Sequence, residues 1–125
     1  MNSSRLDQLP SLLVACLCAD WCGACREYQP LFNALTAKFP QARFMWVDVE
    51  DEADLIDPIE VENFPTILIA KGPESELQPL FFGTVLPHIE TLERLIQDRM
   101  TAGEHAPVKD AAVVKLVASL QSKTY

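Results

Sequence analysis

Two cysteines three residues apart, Cys22 and Cys25, are the side chains of this sequence best suited to chemistry. They follow an apolar run and open a segment whose apolar residues have helical spacing. At a helix start, unpaired backbone N–H groups and the positive end of the helix dipole stabilise a thiolate, which is the nucleophile of thiol–disulfide exchange. We therefore expect Cys22 to attack and Cys25 to resolve, as a pair that can close into a disulfide.

Two further cysteines, Cys16 and Cys18, precede this pair, so a metal site is the alternative. Both lie in the apolar run that is expected to form a buried strand, and no second Cys-x-x-Cys or His-x-x-x-His pair follows. His88 and His105 stand alone and are expected to be solvated. A redox pair is therefore favoured over a zinc or iron–sulfur half-site.

The motif Trp-Cys-Gly-Ala-Cys at residues 21–25 resembles the Trp-Cys-Gly-Pro-Cys motif of thioredoxins, and Phe64-Pro65-Thr66 resembles the cis-proline loop of that family. The resemblance extends over roughly residues 12–97. It implies a thioredoxin-like α/β fold and a thiol–disulfide oxidoreductase that needs no prosthetic group. Alanine in place of the family's proline adds a backbone N–H and removes a fixed φ, which should loosen the helix start.

The resemblance also implies a substrate-binding surface around the cysteine pair, the proline loop and one further glycine, made of Trp21, Gly23, Ala24, Phe64, Pro65 and Gly83. Trp21 would shape the docking surface, and the backbone of Phe64 would pair with an extended substrate chain. Gly83 would let the substrate approach the third side of the groove. The alternatives are a core aromatic at position 21 and an ordinary turn glycine at position 83.

Two positions depart from the family together. Counting back from the motif, the family's buried aspartate is Cys16, and along a later strand its lysine neighbour is Trp46. A buried carboxylate without its partner is costly, so joint replacement by a thiol and an apolar ring is physically consistent. It leaves Cys25 without an evident base, apart from a water in the groove or Asp20 or Glu27 at its edge. The joint replacement therefore predicts slower resolution of mixed disulfides.

The apolar pattern predicts one α/β domain, with a central mixed sheet of about four strands and helices on both faces. Strands are expected at residues 11–18, 43–49, 66–70 and 79–83. Helices are expected at residues 22–39, with a kink at Pro30, and at 51–57, 87–100 and 107–121. The last two strands should pair antiparallel, because turn residues separate them.

The two ends of the chain differ from a standard thioredoxin. The first ten residues have room for one short helical turn, so the family's first strand and helix are missing. We expect residues 1–100 to form the thioredoxin-like domain and residues 101–125 to add a linker and a helix that packs on it. An apolar stripe along this helix must be buried, and the sheet face left by the missing helix is the expected place. A dimer contact or a loosely attached tail is the alternative.

Composition limits the partners and the compartment. The net charge of −8 argues against binding to nucleic acid or to an anionic membrane surface. No apolar run approaches the roughly 18 residues of a membrane span. Residues 13–16 resemble a bacterial lipoprotein processing site, but the apolar stretch before Cys16 is too short for a signal peptide. Without a signal peptide, and with four cysteines, a reducing cytoplasm is the expected compartment.

An acidic segment precedes the proline loop. It consists of Asp48, Glu50, Asp51, Glu52, Asp54, Asp57, Glu60 and Glu62. Such a cluster is most simply a solvated face. The functional alternative is that it repels acidic partners and steers basic ones toward Pro65.

The expected activity is the reduction of protein disulfides by a monomer, with reducing equivalents drawn from a reductase or from glutathione. An exported oxidase or isomerase would use the same cysteines at a different reduction potential. The rival from another class is a non-catalytic thioredoxin-fold interaction or redox-sensing module. Its warrants are the short N-terminus, the added helix and the replaced aspartate.

Overall fold

The computed structural model describes residues 11–56, 59, 63–73, 77–85, 88–100 and 106–122. Its elements in chain order are β1 (Ser11–Cys18), α1 (Gly23–Leu35), β2 (Ala42–Asp48), α2 (Ala53–Ile56), β3 (Thr66–Gly72), β4 (Gln78–Thr84), α3 (Ile89–Met100) and α4 (Ala111–Ser122). Each strand and helix predicted over residues 11–121 is present: β1 has the predicted ends, and the ends of the other elements differ from the predicted ones by at most four residues. The short turn expected within the first ten residues, the predicted helix end at residue 57, the predicted helix start at residue 87, residues 101–105 of the expected linker and His105 lie outside the described residues.

The sheet has four strands in the order β2-β1-β3-β4. β1 runs parallel to β2 and antiparallel to β3, and β3 runs antiparallel to β4, so the predicted mixed sheet is confirmed. β1 lies between two neighbours, and residues 12–18 are buried on both of its faces. This is why the sequence of β1 is continuously apolar rather than alternating.

One face of the sheet is covered by α1 and α3. Because successive side chains of a strand point to opposite faces, the even-numbered residues of β1 share this side. Their packing partners in the two helices include Tyr28, Phe32, Leu92 and Ile96. α1 continues through Pro30 and ends at Leu35, before the predicted end at residue 39. The predicted kink at Pro30 stays a prediction.

The opposite face of the sheet is covered by α4 and the short α2. The odd-numbered β1 residues Leu13, Ala15 and Leu17 form one core with the apolar side of α4, which consists of Val113, Leu116, Val117 and Leu120. Spacings of three and four residues place those side chains along one stripe of the helix. The terminal helix therefore supplies a buried layer of the fold. Within the described part of the chain, no helix is long and apolar enough to cross a membrane.

Candidate active site

The sheet register brings three loops to one edge. β1 and β2 are parallel with Cys18 opposite Asp48, so the segments that follow both strands leave the sheet at the same edge. β3 is antiparallel to β1 with Thr66 opposite Leu17, so the loop that precedes β3 reaches that edge as well. The cysteine motif and the proline loop are thereby neighbours, although about forty residues separate them in the sequence.

Cys22 is the N-cap of α1. Its backbone is extended (φ −83°, ψ 118°), and its carbonyl accepts a hydrogen bond from the N–H of Arg26 at 3.1 Å. The thiol is free, partly exposed and makes no capping hydrogen bond. An accessible sulfur therefore lies beside the unpaired N–H groups of a helix start, where a thiolate is stabilised.

Cys25 lies in the first turn of α1 and is only 1% exposed. It is disulfide-bonded to Cys18, with a Cα–Cα distance of 5.8 Å. The bond expected from the sequence, between Cys22 and Cys25, is therefore not the one present in this structure. The reason is the direction of the side chains: Cys25 packs with Cys18 in the core, whereas Cys22 lies at its partly exposed border. A disulfide between Cys22 and Cys25 remains a proposal.

Cys18 is the residue that sequence reasoning missed, because it was assigned to the buried strand alone. The sequence did contain a signal for Cys18. Because side chains alternate along a strand, Cys16 and Cys18 lie on the same face of β1, and this is the face that α1 covers. Their sulfurs are 3.8 Å apart. Three of the four cysteines thus lie together inside the core, and the fourth lies at its border.

The two residues at the positions of the family's aspartate and lysine lie side by side, as counting along the sequence predicts. Cys16 and Trp46 are direct partners in the register of β1 and β2. The ring of Phe32 lies edge-on to Trp46, with centroids 5.7 Å apart, which makes the surroundings apolar. Burial raises the pKa of the Cys16 thiol far above its ordinary value, so this thiol keeps its proton at neutral pH.

The rim of the site is aromatic. Trp21 is 65% exposed, so the alternative of a core aromatic is wrong. Its ring meets that of Phe64 edge-on, with centroids 5.6 Å apart and an interplanar angle of 79°. The Phe64–Pro65 peptide bond is cis, as the resemblance implies. An exposed ring over this loop leaves an apolar surface next to Cys22 for a partner to contact.

Three of the positions assigned to the substrate-binding surface carry small residues. Gly23 is exposed at the start of α1, and a Cβ added there would meet no atom within 4 Å. Ala24 is half-buried behind it. Gly83 lies inside β4 opposite Ile67, so the alternative of a turn glycine is wrong. A Cβ at Gly83 would make ordinary contact with the ring of Phe81 at 3.5 Å.

Two carboxyl groups lie at the same edge. Asp48 accepts hydrogen bonds from the N–H groups of Asp51 (3.1 Å) and Glu50 (2.9 Å), which hold its pKa below the usual range. The charge of Asp48, and a hydrogen bond shared with it, raise the pKa of Asp20. The acidic segment therefore begins at the site itself. Its members Asp57, Glu60 and Glu62 lie outside the described residues.

We expect Asp20→Asn to raise the melting temperature at pH 7 by about 1–2 °C, because it removes the charge repelled by Asp48. A carboxyl whose pKa is raised on folding contributes stability below its unfolded pKa and loses it as pH rises through the folded value. The advantage of the variant should therefore be absent at about pH 3. Melting at the two pH values checks this, with Asp54→Asn at an exposed position of α2 as the control. Equal melting temperatures of wild type and Asp20→Asn at pH 7 would contradict it.

The described cysteines and carboxylates of this region do not form a metal site. Among the residues that the structure describes, no three histidine, cysteine, aspartate or glutamate side chains are grouped as metal ligands would be. Both sulfurs of the buried disulfide have a covalent partner already, and the Cys22 thiol is the one nearest the surface. The arrangement is suited to exchange between sulfurs.

Relatives were found among curated proteins. The chain is 41% identical over 66 residues to an H-type thioredoxin of Fagopyrum esculentum, covering 52% of this chain and 57% of that protein. It is 40% identical over 60 residues to a thioredoxin of Oryctolagus cuniculus, covering 48% and 57%. The chain spans about half the length of the curated relatives it matches.

Solved structures of thioredoxins and a thioredoxin family model also match this chain. Thioredoxin NaTrxh from Nicotiana alata matches with a TM-score of 0.62 and 28% identity, over 78% of this chain and 84% of that one. Fasciola hepatica thioredoxin shares the fold, with a TM-score of 0.63 and 23% identity over 78% and 88%. The family model described as Thioredoxin matches residues 3–80, which is more than half of the chain. This chain belongs to the thioredoxin family.

Proposed function

We propose that this protein is a thiol–disulfide oxidoreductase that reduces protein disulfides through Cys22 and Cys25. The observation that carries the proposal is the free, partly exposed Cys22 thiol at a helix N-cap. It lies at the sheet edge that also holds exposed Trp21 and the cis Phe64–Pro65 loop. An accessible nucleophile and a docking surface are thus combined in one place.

The reaction is an exchange of sulfur partners. The Cys22 thiolate attacks one sulfur of the substrate disulfide, and the other substrate sulfur leaves as a thiolate. Cys25, as a free thiolate in the reduced protein, then attacks the Cys22 sulfur. The substrate sulfur that was bonded to Cys22 leaves as a thiolate. The substrate is then fully reduced, and the protein is oxidised by two electrons to the Cys22–Cys25 disulfide. Because Cys16 stands where the family has a carboxylate, we expect the second step to be slow.

The substrate is proposed to bind as an extended chain. The backbone beside the cis bond of Phe64 offers β-type pairing, which gives affinity without reading the substrate's sequence. Trp21 adds apolar contact beside the attacking sulfur, since most of its ring is exposed. Gly23, Ala24 and Gly83 leave space for the chain to approach, and at Gly23 the surroundings are open.

The protein's setting belongs to the same proposal. We propose that it works as a monomer in the reducing cytoplasm, where a reductase or glutathione returns the disulfide to the dithiol. The chain's net charge of −8 disfavours nucleic acid and anionic membranes as partners. We also propose that residues 1–100 form the thioredoxin-like domain and that residues 101–125 add a linker and a helix packed on it. The core that α4 shares with β1 supports this packing.

Reduction of insulin by dithiothreitol tests the activity. We expect catalytic amounts of the protein to accelerate precipitation of the insulin B chain well beyond dithiothreitol alone. The reduction potential of the cysteine pair, measured against a glutathione buffer, separates a reductase from an oxidase or isomerase, because an oxidant has a potential higher by about 100 mV. An insulin rate equal to that of dithiothreitol alone would contradict the proposal.

A redox-sensing or interaction module is the second candidate, and one observation favours it. Cys25 is bonded to Cys18 in the core, so the proposed resolving thiol is already occupied in this structure. A sensor would form and break this buried bond with the redox state of its surroundings, with no turnover of a substrate. The insulin assay separates the two candidates, because a sensor gives no acceleration.

A further inference from the structure

We propose that Cys18 is a third redox-active cysteine. It competes with Cys22 for the bond to Cys25, so that the oxidised protein exists as two disulfide isomers. The inference rests on the proposed function, because the active pair must first become oxidised. It differs from that function in assigning a redox role to a strand residue outside the Cys-x-x-Cys motif. One isomer is the Cys22–Cys25 disulfide, and the other is the Cys18–Cys25 disulfide of this structure.

The geometry permits the second isomer on the present backbone. The Cα atoms of Cys18 and Cys25 are 5.8 Å apart, within the range of roughly 4.4–6.8 Å that disulfides span. Cys18 is the last residue of β1 and Cys25 lies in the first turn of α1, so a single short connection holds them together. Both side chains are buried in the core between the sheet and α1. Cys25 thus has one sulfur partner in the core, and Cys22 at the N-cap is the proposed second one.

Cys16 has a separate part in this arrangement. Its sulfur lies 3.8 Å from that of Cys18, which carries no hydrogen while it is in a disulfide, so the Cys16 thiol is the donor between them. Cys16 is a free thiol and forms no disulfide in this structure, so Cys18 is the residue that exchanges.

The step balances without an outside oxidant. The Cys18 thiolate attacks the Cys25 sulfur of the Cys22–Cys25 disulfide; the Cys18–Cys25 bond forms, the Cys22–Cys25 bond breaks, and Cys22 leaves as a thiolate. The number of disulfides is unchanged, and the proton lost by Cys18 is gained by Cys22 or by solvent. The oxidation that created the first disulfide comes from the substrate in the proposed activity.

The exchange has a functional consequence. Once Cys25 is bonded to Cys18, Cys22 is an accessible thiol without a resolving partner. If Cys22 then exchanges with a second disulfide such as glutathione disulfide, one glutathione leaves as a thiol. The mixed disulfide at Cys22 persists, because the sulfur that would release it is occupied. The protein would then hold a thiol partner such as glutathione rather than turn it over.

Disulfide mapping of the oxidised full-length chain tests the inference. The reduced protein is treated with glutathione disulfide, blocked with N-ethylmaleimide in acid and digested with a protease that cleaves before aspartate. Cleavage before Asp20 separates residues 7–19, which hold Cys16 and Cys18, from residues 20–47, which hold Cys22 and Cys25. We expect the two fragments to be cross-linked in at least about a tenth of the oxidised protein, with N-ethylmaleimide or glutathione on Cys22.

Two matched variants identify the sulfur. Cys16→Ala should keep the cross-link, whereas Cys18→Ala should lose it and keep the disulfide within residues 20–47. Cys18→Ala should also release glutathione from Cys22 about twofold faster or more, because Cys25 is always available to it. Oxidised wild type with only the disulfide within residues 20–47, a cross-link that persists in Cys18→Ala, or no disulfide at all would each overturn the inference.

The disulfide mapping is carried out on the wild-type protein, so the test does not depend on whether the Cys18→Ala variant folds. Failure of the proposed function has a different signature. A wild-type cross-link without insulin reduction supports the exchange and contradicts the activity. Insulin reduction without the cross-link supports the activity and contradicts the exchange.

Discussion

Cys22→Ser is expected to lower the rate of insulin reduction by about a thousandfold or more, to the level of dithiothreitol alone. A hydroxyl does not attack a disulfide at neutral pH, and Cys25 is too deeply buried, at 1% exposure, to take its place. The measurement is the initial rate of insulin precipitation at equal protein concentrations. Cys16→Ala is the matched control, since its buried, protonated thiol takes no part in attack.

The same substitution should leave the fold intact. Cys22 is the N-cap of α1 and its side chain makes no capping hydrogen bond. Serine is among the preferred N-cap residues, so the melting temperature of Cys22→Ser should equal or exceed that of wild type. Full insulin activity in a folded Cys22→Ser variant would remove Cys22 as the nucleophile and would shift attention to the core cysteines.

Leu120→Ala is expected to lower the free energy of unfolding by about 3 kcal/mol. Leu120 is fully buried and belongs to the core between α4 and the sheet, so truncation leaves a cavity there. Denaturant unfolding measures the effect. The matched control is Val114→Ala in the same helix: Val114 is 47% exposed, and its truncation should cost less than about 1 kcal/mol.

This result decides whether α4 is a structural layer or an attached tail. A loss below about 1 kcal/mol for Leu120→Ala would contradict the packing seen in the structure. Deletion of residues 101–125 is a harsher form of the same test. It exposes the sheet face formed by Leu13, Ala15 and Leu17, so the shortened chain should unfold at lower temperature or aggregate. An unchanged melting temperature and a monomeric mass would favour the tail.

The layers of this fold could be predicted because each depends on local pattern. A short unbroken apolar run is typical of a strand buried on both faces, and β1 is such a strand. The apolar stripe of α4 required a partner surface, and it packs in one core with Leu13, Ala15 and Leu17 of β1. Cys16 and Trp46 were identified as neighbours by counting along two strands, and the register of β1 and β2 places them side by side.

The pairing of the sulfurs could not be predicted in the same way. Spacing in the sequence placed Cys22 and Cys25 near one helix start, but which sulfur bonds to Cys25 depends on the direction of a single side chain. That direction is set by how α1 sits over the end of β1, which is a tertiary property. The predicted end of α1 at residue 39 is likewise too late, because residues 36–38 form turns and the apolar Phe39 after them still packs in the core.

Trapping of a substrate in the Cys25→Ser variant tests the central claim most directly. Without the resolving sulfur, the first mixed disulfide should accumulate when a peptide disulfide is added, and mass spectrometry locates the attached peptide. We predict attachment at Cys22, the partly exposed sulfur at the start of α1. Attachment at Cys16 or Cys18, or a folded variant with no attached peptide, would contradict the account.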